Sequence, residues 1–222
     1  MCNSEVNVIM GAALVLSAAV FSPATFAEIG EGDFYWGLNE HNLISKDDGV
    51  GNLNLAAVGG TIGKQITDAL SVEGTIAIGV TDDSVSFPVV YPGNQTVDIG
   101  GEKYELGRAG LEGDVAVKME VKTLMGVSLN YRQLIGYSDR FSWYGKVGAY
   151  NLKLNSDAVT TFNTSLGVLT DVNSGTVTVN KIAAGFGVSY LLDGFGDFRL
   201  GYERYGSEVA SIALNWRRGF DY

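Results

Sequence analysis

The sequence predicts an all-β chain closing into an eight-stranded antiparallel up-and-down transmembrane β-barrel, with short periplasmic turns and two long extracellular loops. Three observations carry that expectation. Apolar and polar residues alternate with a period of two in segment after segment. No stretch after Ala27 approaches the ~20 apolar residues that a membrane helix needs. Short turns rich in Asp and Gly alternate with longer polar connections.

The chain begins with a segment set apart from this pattern. Val8 to Val20 is uncharged over thirteen residues and is followed by Ser22-Pro23-Ala24-Thr25-Phe26-Ala27. An apolar run of that length before small residues reads as a signal peptide, residues 1–27, although its leading residues carry Glu5 and no Lys or Arg. The only cysteine, Cys2, falls inside it, which removes a disulfide framework and a cysteine zinc site from consideration. Residues 28–222 are expected to form one barrel domain. The whole chain has 222 residues, and its net charge is 15 − 25 = −10. That balance argues against nucleic acid as a partner, because phosphate binding needs a basic patch.

Each expected strand shows the alternation. The first two are Gly32 to Ser45 and Leu53 to Ile66. Leu70, Val72, Ile76, Ile78 and Val80 mark the third. The fourth is long, with apolar odd positions from Val115 to Tyr131 and Asp114, Lys118, Glu120, Ser128, Asn130 and Arg132 between them. Phe141 to Tyr150, Lys181 to Tyr190, Phe198 to Glu203 and Ala210 to Arg217 complete the eight. Short turns are expected at Thr67-Asp68, at Gly136 to Asp139 and at Asp193 to Asp197, and long loops at about 81–113 and 156–176. Pro88 and Pro92 fall in the first loop, leaving the strands free of proline. The long fourth strand is expected to project beyond the outer leaflet, pairing with the region before Asp82 or with residues after Asn151.

Alternation alone does not say which face meets solvent, since a soluble sandwich alternates too. The polar face here is rich in Gly, Ser and Ala with single charges among them, which suits a narrow lumen. Phe141, Trp143, Tyr190, Phe198 and Trp216 sit next to the short turns or the C-terminus, as an interfacial girdle would. A secreted sandwich or lipocalin-like barrel is the alternative.

The segments GGTIGKQITDALSVEGTIAIG (59–79), LNYRQLIGYSDRFSWYGKVGAY (129–150) and AAGFGVSYLLDGFGDFRLGYERYG (183–206) resemble small outer-membrane β-barrel proteins of the OmpA membrane-domain, OmpX/Ail and opacity-protein type. The resemblance covers about residues 30–217 and rests on repeated hairpin signatures. It implies a bacterial outer-membrane location reached through the periplasm and a structural or surface-interaction role, in adhesion or envelope integrity. It also implies contact with outer-membrane lipid and lipopolysaccharide, delivery by the outer-membrane assembly machinery through the C-terminal strand, and a host or surface ligand at the loops. Family members end on a terminal aromatic of the last strand; here Trp216-Arg217 is followed by five further residues ending in Tyr222.

Sites of chemistry are sparse. His41 is the single histidine, and no G-x-S-x-G accompanies it, so no catalytic residue is assigned. Gly59-Gly60-Thr61-Ile62-Gly63 lacks the Gly-Lys-Ser/Thr of a phosphate loop. Asp82, Asp83, Asp98, Glu102, Glu105 and Glu112 match no calcium-loop spacing, so neither metal nor cofactor is expected. A lipid A-modifying enzyme and a narrow non-specific pore remain alternatives. Face assignment turns Glu73, Arg132, Lys146, Lys181, Arg199, Glu203 and Arg217 into the lumen. Glu203 should pair across strands with Lys146 or Lys181, and five cations against two anions should leave an excess.

Overall fold

The computed structural model describes residues 29–47, 51–108, 110–136, 139–164 and 167–220. The expected signal peptide with Cys2, and the terminal Tyr222, lie outside the described residues.

Among the described residues the strands are β1 (Phe34–Asp47), β2 (Gly51–Gln65), β3 (Leu70–Gly79), β4 (Asp82–Tyr91), β5 (Thr96–Ile99), β6 (Glu102–Glu105), β7 (Leu111–Leu134), β8 (Phe141–Thr164), β9 (Gly167–Leu192), β10 (Gly196–Tyr205) and β11 (Val209–Gly219). Eight of them pair antiparallel in the order β3-β2-β1-β11-β10-β9-β8-β7, and β7 pairs back onto β3. The sheet is therefore a closed barrel. Its stagger follows from the register. The pairings lead from Tyr35 through Gly63, Glu73, Ser128, Gly148, Ala183, Tyr205 and Val209, and return to β1 at Ser45. The difference, 45 − 35 = 10 residues, is the shear of an eight-stranded barrel. Such a barrel has strands tilted by about 40° and an interior that side chains alone can fill.

One end of the barrel carries the turns after β2, β7 and β9 and both ends of the described chain, while the three-residue turn 206–208 between β10 and β11 lies at the other end, so short turns are not confined to one end as expected. At the first of these ends the Phe220 N–H donates to the Phe34 carbonyl at 3.1 Å. The turn after β2 is tied by Leu70 N–H to Thr67 Oγ1 at 3.1 Å, at the expected Thr67-Asp68. Gly194 turns the chain after β9 with φ of 78°, a conformation that costs glycine little. Asp197, read from the sequence as part of that turn, is instead the second residue of β10.

The other end departs from expectation. The loops expected at 81–113 and 156–176 are largely strand. β8 and β9 stay in register from Phe141↔Tyr190 to Thr164↔Gly167, so 156–164 and 167–176 are the paired upper arms of the two strands. Val159, Thr161, Thr170, Val172, Thr176 and Thr178 explain it, since β-branched chains favour the pleated backbone even when exposed. In the other segment β4 pairs with β7 from Asp82↔Glu120 to Tyr91↔Leu111, and β5 and β6 form a separate hairpin. The long β7 does project, but its partners are residues from Asp82 onward, not before it, and β8 beyond Asn151. Proline 88 sits on β4, which is an edge strand and tolerates it.

A four-stranded sheet, β4-β7-β8-β9, thus rises beyond the barrel. Its base is fixed where β3 has ended: Ala56 N–H donates to Thr81 Oγ1 at 2.7 Å and Asn54 N–H to Asp83 Oδ2 at 2.8 Å. These side chains satisfy the β2 backbone donors that β3 no longer reaches.

The fourth barrel strand carries a correction of a different kind. Its odd positions are apolar from Val115 to Tyr131, yet they do not share one face. The register with β8 shifts between Val121 and Thr123, a β-bulge at Lys122. Val121 and Leu124 are both buried in the interior, so the odd residues face inward above the bulge and outward below it. One extra residue reverses a period of two. The inward chains Met119 and Val121 join Leu43, Leu55, Leu124, Tyr150, Leu152 and Tyr205 in a core at the mouth of the barrel. A second core lies higher, where Val97 and Ile99 of the small hairpin cover Phe162 on β8.

Candidate functional site

The barrel encloses a charged lumen built from β1, β3, β8, β10 and β11. Glu73 on β3 is buried and accepts three hydrogen bonds at Oε1, from Tyr35 at 2.8 Å and from Arg199 and Arg217 at 3.1 Å each. Asp197 accepts from Arg199 Nε at 3.3 Å and is also paired with Arg217. Two carboxylates and two guanidiniums therefore form a closed quartet. Above it, Lys146 donates to Glu203 Oε1 at 2.8 Å, and Tyr205 donates to Glu203 Oε2 at 2.7 Å. His41 Nδ1 lies 3.3 Å from the Tyr205 hydroxyl. Since that hydroxyl proton goes to Glu203, an Nδ1–H tautomer of His41 completes the chain of hydrogen bonds.

Aromatic rings roof these charges. Arg199 lies over Tyr144 and Arg217 over Tyr35, each 4.7 Å from the centroid, while Lys146 lies 5.3 Å from the centre of Tyr150. Glycine on a facing or neighbouring strand makes the room. A Cβ at Gly63 would strike the Tyr35 ring, at Gly126 the Tyr150 ring, and at Gly201 the Tyr144 hydroxyl. The cavity left among Glu73, Lys146, Arg199, Glu203 and Arg217 is about 10 Å³, room for about one water.

Of the seven lumen charges read from the sequence, Glu73, Lys146, Arg199, Glu203 and Arg217 come together here, and Glu203 takes Lys146 as expected. Arg132 is half-buried near the short-turn end of β7. Lys181 is not in the network: it is about one-third exposed at the far end and pairs with Glu208 at 3.3 Å. The expected cation excess shrinks: Asp197 supplies a third carboxylate, so Glu73, Asp197 and Glu203 pair with Arg199, Arg217 and Lys146 deep in the lumen, and Arg132 also acts on Asp197. The register contained that signal, since Asp197 stands opposite Arg217 on β11 and two residues from Arg199. His41 lies beside Tyr205 and Glu203, Gly59, Gly60 and Gly63 lie within β2, and no group of three metal-ligating side chains exists among the described residues.

The outer wall is the inverse of the lumen. Ile62, Ile76, Val127, Val147, Ile182, Phe186 and Leu200 all point outward and are at least half exposed, Ile182 by 73%. Toward the short turns the outward chains become aromatic: Tyr131 packs on Trp143 at 5.6 Å, Phe141 on Tyr190 at 6.5 Å and Trp36 edge-on to Trp216 at 5.1 Å. On β1 the belt is interrupted by Glu40 and Asn42, hydrogen-bonded to each other at 3.3 Å. The projecting sheet is different again. Its outer face carries Glu112, Asp114, Lys118, Glu120 and Asp157, with Lys118 on Asp82 at 2.9 Å.

These features define a closed eight-stranded antiparallel barrel with a paired charged interior, an apolar exterior and a sheet projecting from one end. No protein-family model matches the chain, and no curated protein does. Among solved structures it is similar to Ail, the attachment invasion locus protein of Yersinia pestis, at 14% identity over 84% of this chain and 99% of that one, with a TM-score of 0.44. It is similar too to Neisserial surface protein A, at 14% identity, 84% and 97% coverage and a TM-score of 0.40. The translocator domain of the autotransporter NalP from Neisseria meningitidis matches 96% of each chain at 12% identity and a TM-score of 0.29. At these values the likeness is one of outline, and the barrel rests on its own register.

Proposed function

We propose that the chain is an integral bacterial outer-membrane barrel with a plugged lumen, whose role is structural and surface-interacting through the sheet that projects outside. The outward apolar belt carries this reading. Large apolar chains at half exposure or more, on β2, β3, β7, β8, β9 and β10 of a barrel with a charged interior, would be insoluble in water and are what a lipid-facing wall requires. On β8, ten residues separate Trp143 from Lys153 (153 − 143). At ~3.4 Å per residue and a tilt of ~40° they span a height of about 26 Å, close to the apolar band of such barrels.

The end with the turns after β2, β7 and β9 then faces the periplasm and the sheet faces outward. The packed quartet and the Lys146–Glu203 pair favour a plug over a pore, and His41, wholly enclosed, has no route to a lipid substrate. Strand β11, closing the barrel against β1, is the segment that assembly machinery would meet. Residues 1–27 serve as the signal for export. The test is a gel: mature protein refolded in detergent should migrate differently in SDS before and after heating. Co-migration of the two samples, with solubility in plain buffer, would refute the membrane reading.

A further inference from the structure

Above the barrel mouth the wall is incomplete. Strands β10 and β11 turn at 206–208, and the last β9–β10 pair is Ala183↔Tyr205. From Lys181 upward β9 therefore has no strand on that side among the described residues, while β4, β7 and β8 continue beside it. Inside a closed eight-stranded barrel, inward chains fill the space against those of the opposite wall. In the projecting sheet that wall is missing over β10 and β11, and the inward face opens to solvent. Val177, which pairs with the inward Leu154, is 49% exposed.

This inward face is apolar. Pairing sets Val85, Val117 and Ala158 side by side across β4, β7 and β8, with Phe87 beside Val115 in the row above. These five are partly buried and belong neither to the core at the mouth nor to the one beneath the small hairpin. On β8, Leu154 at the mouth core and Phe162 under the hairpin stand eight residues apart (162 − 154). At ~3.4 Å per residue and a tilt of ~40° that is a height of about 21 Å, and four strands at ~4.8 Å spacing measure about 14 Å across. One helix, about 10 Å in diameter, fits between floor and roof. Each edge strand adds an inward aspartate, Asp83 on β4 and Asp171 on β9. Asp83 receives the Asn54 N–H at 2.8 Å and Asp171 the Gly100 N–H at 3.1 Å, contacts that leave both charges in place. Over 81–121 and 154–180 together the charge is 3 − 10 = −7.

We infer that this half-open cylinder is a docking groove for a cationic amphipathic helix presented by a partner polypeptide. The inference rests on the reading of the sheet as an outward-facing interaction surface and adds to it the chemistry of the partner. Such a helix lays an apolar stripe, at positions i, i+3, i+4 and i+7, on the valines and Phe87. Lys or Arg beside that stripe reach Asp83 at one edge of the sheet and Asp171 at the other. The negative surplus of the projecting segments draws a cationic helix in and turns an acidic one away.

The test uses the mature barrel refolded in phosphatidylcholine nanodiscs, with empty nanodiscs measuring peptide partition into lipid. Three synthetic peptides of about 18 residues, five helical turns, are titrated. They are a Leu/Lys amphipathic helix, the same residues shuffled so that no apolar face forms, and a Leu/Glu amphipathic helix. Methyl NMR shifts of Val117, Ala158 and Val177 report the groove, and saturable shifts are expected with the Leu/Lys helix alone. Val177→Ser should weaken that binding about tenfold, and Asp83→Asn/Asp171→Asn about fivefold. Should the double variant fail to refold, the parent is read at about 0.05 M and about 0.5 M salt, where affinity should drop. Equal response to the shuffled or Leu/Glu peptide, binding no greater than to empty nanodiscs, or affinity unmoved by these variants or by salt would overturn the groove. So would saturation by dodecylammonium at the same concentration, which assigns it to a small amphiphile, or peptide-free shifts in discs holding two barrels, which assign it to a second copy. A barrel that does not enter the nanodisc at all would overturn the membrane reading on which the groove depends.

Discussion

Glu73→Ala is the perturbation that the lumen answers to most directly. In one substitution Tyr35, Arg199 and Arg217 lose the oxygen to which all three donate. Asp197 is left alone with two guanidiniums, so a quartet of two negative and two positive groups becomes one against two in a space with room for about one water. Removing one partner of a buried ion pair costs about 3–5 kcal/mol, because the remaining charge stays desolvated without compensation. With a urea dependence of about 2 kcal/mol per molar, the unfolding midpoint should fall by about 2 M. Glu73→Gln keeps an acceptor and should fall by less. The assay is urea unfolding of the lipid-refolded barrel, followed by tryptophan fluorescence and by the heat-dependent gel shift. A Glu73→Ala midpoint within experimental error of the parent would show that the quartet does not hold the lumen.

Other expectations follow from the same geometry. The refolded protein should show no sustained conductance in planar bilayers, and steady open-pore currents from the parent chain would sink the plug. Deleting Lys122 should turn Met119 and Val121 away from the mouth core; amide exchange across 111–121 should then accelerate, and unchanged protection would mean that the bulge does not set the face. Phe162→Ala should cost the upper core about 3–5 kcal/mol locally, exposing the 96–105 hairpin to exchange without shifting barrel unfolding. Asp82 should titrate below an ordinary aspartate, because Lys118 donates to its carboxylate. The small stabilisation is present above the unfolded pKa and lost as pH falls through the lowered one, and an ordinary Asp82 titration by NMR would contradict the pair.

Much of the barrel was legible because a strand writes its two faces into alternate residues. Glu73, Lys146, Arg199, Glu203 and Arg217 could be turned inward from parity alone, and the short turns were marked by Thr67-Asp68 and Asp193-Gly194. Parity could not carry further than its own unbroken count. From Val115 to Tyr131 the sequence keeps one rhythm while the structure swaps sides at Lys122, since a bulge leaves the composition of a strand untouched. Loop-like residues misled in the same way at 156–176, where Asp, Asn, Ser and Gly interrupt a segment that cross-strand pairing nonetheless holds extended.

By itself, then, the sequence determined the strand class, the strand order implied by its short turns, and which side chains share a face. Only the tertiary structure decided which charges meet. Asp197 became a lumen carboxylate because register sets it opposite Arg217, and Lys181 left the network because it lies beyond Ala183↔Tyr205, the last β9–β10 pair, beside Glu208 at the rim. The physical reason is locality. Alternation is fixed by neighbours along the chain, whereas ion pairing is fixed by stagger between strands distant in sequence, which exists only once the barrel has closed.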